Sequence, residues 1–219
     1  MPVNEKYIQD FIEDEYIHII CKSVSGSLLF KSDENRIYFL KKYAAYTSGY
    51  LDTYSYILLD NHSHFLVKCI NSDDLKSYLS TLNNGSLKSH QKKYLLGKIT
   101  YSEAVEFQMK DFFIAYAMAF NKENNRSGSL FINPFRRIRI NDDAHLQQIV
   151  IYIHANVLKH NTRKKFEDYR WSSYLSILSD KATLLKRKEI IDFFETRNNF
   201  ILQHRTQSQY FYNCEGQLE

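Results

Sequence analysis

Apolar residues recur along the chain with two periods, and the switch from one to the other marks the elements. Tyr16 to Lys22 (YIHIICK) is a short β-branched, apolar run that predicts a strand. A polar stretch containing Gly26 follows. Ser32 and Asp33 then offer an N-cap for a helix from about Glu34 to Thr47. In that helix Ile37, Leu40 and Ala44 form one apolar stripe, with Phe39, Tyr43 and Tyr46 on the opposite side, so both faces are expected to be covered. Gly49 is placed to end it. Leu51 to Leu59 and His62 to Ile70 (HSHFLVKCI) predict two more strands, joined at Asp60-Asn61 closely enough for an antiparallel hairpin.

Asp73 to Leu82 predicts a short helix stopped by Asn83-Asn84-Gly85, and the basic stretch Lys88 to Lys98 carries no clear pattern. Ser102 to Glu123 is the longest predicted helix, with Val105, Met109, Phe112, Phe113, Tyr116 and Phe120 near helical spacing. Ser129 to Ile140 predicts a strand, or a pair interrupted at Pro134. Asp142 and Asp143 can cap a helix from about Ala144 to Lys159. Beyond it lie Trp171 to Leu178, a final helix from about Lys181 to Arg197, and a polar tail of roughly 20 residues. The order β-α-β-β-α-β-α with C-terminal helices predicts an α+β fold, an antiparallel sheet with helices on one face, and is compatible with a ferredoxin-like sheet. Residues 1–180 are expected to form the main domain, and 181–219 a helical extension and tail.

Composition narrows this only a little. The chain has 219 residues, 44% hydrophobic and 25% charged, enough for one good core. With 2 Pro and 6 Gly, a long flexible linker is not expected. A net charge of +4 permits a nucleic-acid partner without demanding one. Cys21, Cys69 and Cys214 are widely spaced and lack a CxxC pair, so neither a disulfide framework nor a cysteine zinc site is indicated. The acidic start, with Glu5, Asp10, Glu13, Asp14 and Glu15, is unlike a signal peptide, and no apolar run is long enough to span a bilayer. A cytoplasmic location is the expectation.

Candidate chemistry gathers in two places. His62 and His64 are two apart on a predicted strand, so both imidazoles leave one face and make half of a metal site. An exposed pair without a ligand is the plain alternative. His18, on the first strand, is a further candidate, with a satisfied core histidine as the stronger reading. On the helix after Asp143, the core stripe is Leu146, Ile149, Val150, Ile153 and Val157. Tyr152 and Asn156 stack one turn apart on its flank, in a row with Gln148 and His160. With 17 tyrosines in the chain, a lone Tyr says little. What links the two places is a chemical need. A phenol, with a pKa of about 10, is a weak nucleophile toward a phosphodiester. A divalent cation can polarise the phosphate and hold it in line. Two imidazoles and one carboxamide oxygen suit Mn²⁺, or Mg²⁺ less well.

At this point the sequence resembles the REP-associated tyrosine transposases of the HUH single-tyrosine superfamily, the insertion-sequence-200-like group. The resemblance runs from about Tyr16 to Tyr174 and implies a ferredoxin-like or RRM-like sheet, in agreement with the element order. It is carried by Asn61-His62-Ser63-His64-Phe65-Leu66-Val67, Arg126-Ser127-Gly128-Ser129-Leu130-Phe131, Tyr152-Ile153-His154-Ala155-Asn156 and Trp171-Ser172-Ser173-Tyr174. It implies that His62, His64 and Asn156 hold a Mg²⁺ or Mn²⁺ ion. It implies too that Tyr152 is the nucleophile, forming a 5′-phosphotyrosine link to single-stranded DNA near a hairpin and leaving a free 3′-OH. The implied partner is hairpin-forming repeat DNA, bound by a monomer or a homodimer. Three departures stand out. Asp60 replaces a frequent Pro, Val157 follows Asn156 in place of Pro, and Lys22 stands where an Arg is frequent on the first strand, a place for a DNA contact.

Further DNA contacts are expected from Arg136, Arg137 and Arg139 after Pro134, with Arg137 and Arg139 on one face and Arg136 on the other. Arg163, Lys164 and Lys165 beyond the tyrosine helix are a second basic group. Two other functions compete with the nuclease. One is a non-catalytic DNA-binding protein on the same scaffold, the other an RRM-like RNA-binding module, which would have no use for the histidine pair.

Overall fold

The computed structural model describes residues 4–160 and 165–213. Four strands, β1 (Tyr16–Lys22), β2 (Leu51–Leu59), β3 (His62–Cys69) and β4 (Arg136–Ile140), form one antiparallel sheet in the order β2-β3-β1-β4. Helix α1 (Asp33–Thr47) connects β1 to β2. Helices α2 (Ser72–Thr81), α3 (Ser89–Leu95) and α4 (Tyr101–Glu123) lie between β3 and β4. This is the ferredoxin-like path of an α+β fold. The unassigned stretch Lys88 to Lys98 proves to hold α3.

The sheet has two unlike faces because side chains alternate along each strand. Register places Ile17, Ile19 and Cys21 of β1 beside Ser63, Phe65 and Val67 of β3 on one face. There Phe65 stacks on Tyr43 at 4.2 Å, and Phe39 of α1 meets Phe112 of α4 at 4.9 Å. Those aromatics form the main core, and burial pushes the Cys21 thiol up to about 12. On α1 the buried stripe is Asn35, Phe39, Tyr43 and Thr47, one per turn, while Ile37 is exposed. The helix therefore turns its aromatic side to the sheet, and the expectation of two covered faces is corrected.

The other sheet face carries His18, Ile20, His62, His64 and Leu66. It is covered by α5 (Asp143–His160), whose Tyr152 meets both His18 and His64. The helices thus line both faces, not one. Asp142 Oδ1 accepts the His145 amide hydrogen at 2.7 Å, which starts α5 where its capping residue predicts.

Three sequence expectations change after Ser129. Only Arg136–Ile140 forms a strand, while Phe131 makes an isolated bridge to Ser23. Before that strand, Arg126 pins its own loop, donating to Asn121 Oδ1 at 2.8 Å and to the Ser129 carbonyl at 2.6 Å. Trp171 to Leu178 holds the short helix α6 (Tyr174–Leu178), while the helix predicted from Lys181 to Arg197 shrinks to α7 (Arg187–Phe193), and Glu195 at φ 64° separates α7 from α8 (Arg197–Asn213). Much of the supposed polar tail is therefore helix. Its apolar residues are few, but Phe200, His204 and Ser208 recur every fourth position and are buried. Through them α8 packs on α5, opposite the sheet. Residues 149–157 of α5 are buried all round in consequence.

Candidate functional site

The β2–β3 hairpin presents the histidine pair. Its two-residue turn, Asp60-Asn61, is tied down on two sides. The Asp60 carbonyl accepts from the Leu29 amide at 2.7 Å, and the Asn61 carbonyl accepts from the Ser23 amide at 3.0 Å. The Asp60 carboxylate accepts from Arg36 at 2.5 Å, and that guanidinium lies over the rings of Phe30 and Trp171. The main chain at position 60 thus holds the turn without a proline.

From this turn His62 and His64 project to one face, as period two requires, with ring centroids 5.1 Å apart. His18 stands diagonally across from His64 and stacks on it at 5.1 Å. Tyr152 arrives from α5, edge-on to both, at 5.7 Å from His64 and 5.9 Å from His18. Asn156 follows one turn later on the same helix. All five side chains are buried, none more than 5% exposed. Burial, and then the nearby His145, lower the His18 pKa to about 3, so this imidazole is neutral near pH 7.

Would this site accept a divalent cation? Among the described residues no three His, Cys, Asp or Glu side chains are gathered as a cage. The donors on offer are two imidazoles and one carboxamide, with room left in the coordination shell for substrate oxygens. His62 Nδ1 lies 2.7 Å from Asn61 Oδ1. A carboxamide oxygen only accepts, so the ring hydrogen is on Nδ1 and the lone pair on Nε2. Neither side-chain atom of Asn156 has a hydrogen-bond partner among the described residues, although the residue is buried. Leaving a buried amide unsatisfied costs roughly 1–3 kcal/mol, and such groups call for an explanation. An ion bound by its oxygen would supply one, so the donor set fits.

A second polar cluster lies behind α5. His154 points away from Tyr152, since two residues on a helix turn about 200°. Its Nδ1 is 2.8 Å from His204 Nε2, and its Nε2 is 2.7 Å from Ser173 Oγ. His204 Nδ1 is 2.7 Å from the Phe200 carbonyl, which only accepts. That fixes every hydrogen in the chain. His204 donates from Nδ1 to Phe200, His154 donates from Nδ1 to His204, and Ser173 donates to His154. The Ser173 hydroxyl also accepts from the Tyr56 amide at 2.9 Å. Burial lowers the His204 pKa to about 3, and burial followed by the repulsion between the two rings when protonated holds His154 well below its ordinary value. Sequence reading missed this cluster. Its members lie in the tyrosine motif, the Trp171–Tyr174 motif and the supposed tail, and no local period joins them.

The basic residues divide. Lys22 pairs with His62 in register and Arg136 with Ile20, so both share the histidine face. Arg136 lies 4.9 Å above the Tyr7 ring. Arg139 is on the opposite face with Arg137, as alternation predicts, and lies 3.4 Å from Glu15. Arg137 is buried. It donates to Glu106 at 2.7 Å and to the Gln9 carbonyl at 2.6 Å, and covers the Phe11 and Phe135 rings. Burial alone would raise the Glu106 carboxyl, but Lys110 and Arg137 outweigh it and hold it below its ordinary value. Arg137 is thus a structural group, and the expectation that it meets DNA is corrected. Arg163 and Lys164 lie outside the described residues, as do the side chain of His160 and Cys214.

No family model matches the chain, and no curated protein matches it. Among solved structures, one described as a REP-associated tyrosine transposase bound to a REP hairpin is similar, with a TM-score of 0.53 at 13% identity. The match covers 78% of this chain and 84% of that one. The two proteins share a fold.

Proposed function

We propose that this protein is a metal-assisted tyrosine nuclease and strand transferase acting on single-stranded DNA, in the manner of a REP-associated transposase. The observation that carries the reading is the meeting of Tyr152 with His64, whose ring in turn lies against His62, across the α5–sheet interface. Periodicity alone cannot bring that helix to that strand. The fold shared with a transposase bound to a REP hairpin supports the reading and suggests a hairpin-forming substrate.

His62, His64 and Asn156 would hold a Mn²⁺ or Mg²⁺ ion, which would polarise the scissile phosphate. The Tyr152 oxygen attacks phosphorus as its phenolic proton is lost to water. The bond from phosphorus to the 3′ oxygen breaks, and that oxygen takes up a proton. A 5′-phosphotyrosine link and a free 3′-OH result, and attack by a 3′-OH on the link rejoins a strand. Lys22 and Arg136 share the face on which the phosphate would lie. Because Tyr152 and its neighbours are buried, substrate entry requires local opening along α5. That same burial favours a second reading, a DNA-binding protein that no longer cleaves.

The test is to incubate the protein with Mn²⁺ and a pool of hairpin-bearing oligonucleotides and look for covalent DNA on denaturing gels. Adduct in wild type but not in Tyr152→Phe supports the nuclease. DNA binding with no adduct at any sequence or with either metal leaves the binding protein.

A further inference from the structure

Each candidate ligand imidazole has a polar partner behind it. For His62 the partner is Asn61, described above. For His64 it is His18, whose Nε2 lies 3.0 Å from His64 Nδ1. Both rings are buried, and two neutral arrangements satisfy this contact. In one, His18 donates from Nε2 and His64 accepts at Nδ1. The remaining hydrogen of His64 then sits on Nε2, which has no lone pair left to bind a cation. In the other, His64 donates from Nδ1 and His18 accepts. His64 Nε2 then carries the lone pair, matching His62, and the hydrogen of His18 sits on its own Nδ1. The strand geometry that places His18 diagonally across from His64 also stacks the two rings at an interplanar angle of 22°, which limits rotation of either.

We propose that His18 is a positioning residue for His64: it accepts the Nδ1 hydrogen and so selects the tautomer whose Nε2 can bind a metal ion. This rests on the metal site of the proposed function. His18 acts through His64; its ring also lies edge-on to Tyr152 at 5.9 Å, a contact that a flat ring at position 18 keeps. Partners behind ligating imidazoles commonly raise metal affinity by about 10–100-fold. Here the partner is another imidazole, supplied by β1, an interior strand of the sheet, and so fixed in place before any metal arrives.

The experiment has two arms. Nitrogen-15 correlation spectra of the metal-free wild type report the tautomer of His64 directly, without any variant. The expected result is hydrogen on Nδ1; hydrogen on Nε2 would overturn the proposal. Calorimetric titration with Mn²⁺ then compares wild type with His18→Phe, which keeps a flat ring but cannot accept, and His18→Gln, which restores an accepting oxygen. Affinity is expected to fall about 10–100-fold in His18→Phe and to recover in part in His18→Gln. Equal affinity in wild type and a folded His18→Phe would overturn the role of His18 while leaving the metal site standing. A wild type that binds no Mn²⁺, even with His64 hydrogen on Nδ1, would overturn the metal reading and with it this role.

Discussion

The ring of Tyr152 on α5 meets the ring of His64 on β3 edge-on, their centroids 5.7 Å apart. The contact depends on the ring and the chemistry on the hydroxyl, so the two separate by mutation. Tyr152→Phe is expected to abolish covalent DNA while shifting stability by less than about 1 kcal/mol, read by urea unfolding alongside an adduct gel. His64→Ala removes the ring beneath Tyr152 and the partner of His18. It is expected to cost about 2–3 kcal/mol as well as all cleavage.

Asn156 sets function against stability. Its buried carboxamide makes no hydrogen bond within the described residues, so an apolar side chain of the same shape should suit the fold better. Asn156→Leu is expected to raise the stability of the metal-free protein by roughly 1–3 kcal/mol while abolishing cleavage. Wild type at 100 times its Kd for Mn²⁺ should gain about 2.7 kcal/mol that the variant does not. Thermal melts with and without Mn²⁺ measure both effects.

The imidazole chain behind α5 makes the fold acid-sensitive. The unfolded chain takes up a proton at position 204 near pH 6.5, and the folded protein only near pH 3. Stability from this group is therefore complete above about pH 6.5. It declines as the pH drops through that window and levels off below pH 3, with a limiting slope of about 1.4 kcal/mol per pH unit. His154, also held low, adds to the decline. Urea unfolding between pH 7.5 and pH 5 should show it, and His204→Phe should flatten it.

Arg136 and Arg137 are neighbours with opposite fates. Removing the charge of Glu106 strands a buried guanidinium, so Glu106→Gln is expected to cost about 3–5 kcal/mol. Arg136→Ala should leave stability nearly unchanged, weaken DNA binding, and lower the slope of log affinity against log salt by about 1. Binding titrations at several salt concentrations separate the two.

What was legible in the chain was local. Alternation placed His62 and His64 on one face and separated Arg136 from Arg137, and the capping aspartate marked the start of α5. Alternation could not say which face was solvent, so Arg137 read as a surface cation until Phe11, Phe135 and Glu106 enclosed it. Nor could a 3.6-residue period reveal that α5 is packed on both sides. The second side is built by α8, whose sparse apolar positions resemble a tail until Phe200 and His204 are seen against His154. His18 stayed ambiguous because its partner lies on another strand, one diagonal step away.

The packing of α8 on the back of α5 also sets an order of events during synthesis. The sheet that carries the histidines is made from residues 16–140, and the tyrosine helix follows it out of the ribosome. The helix still has one wall missing at that stage. His154 lacks its acceptor and the far side of α5 faces water until Phe200 and His204 emerge. A nascent chain therefore owns every candidate catalytic group well before it can hold them still.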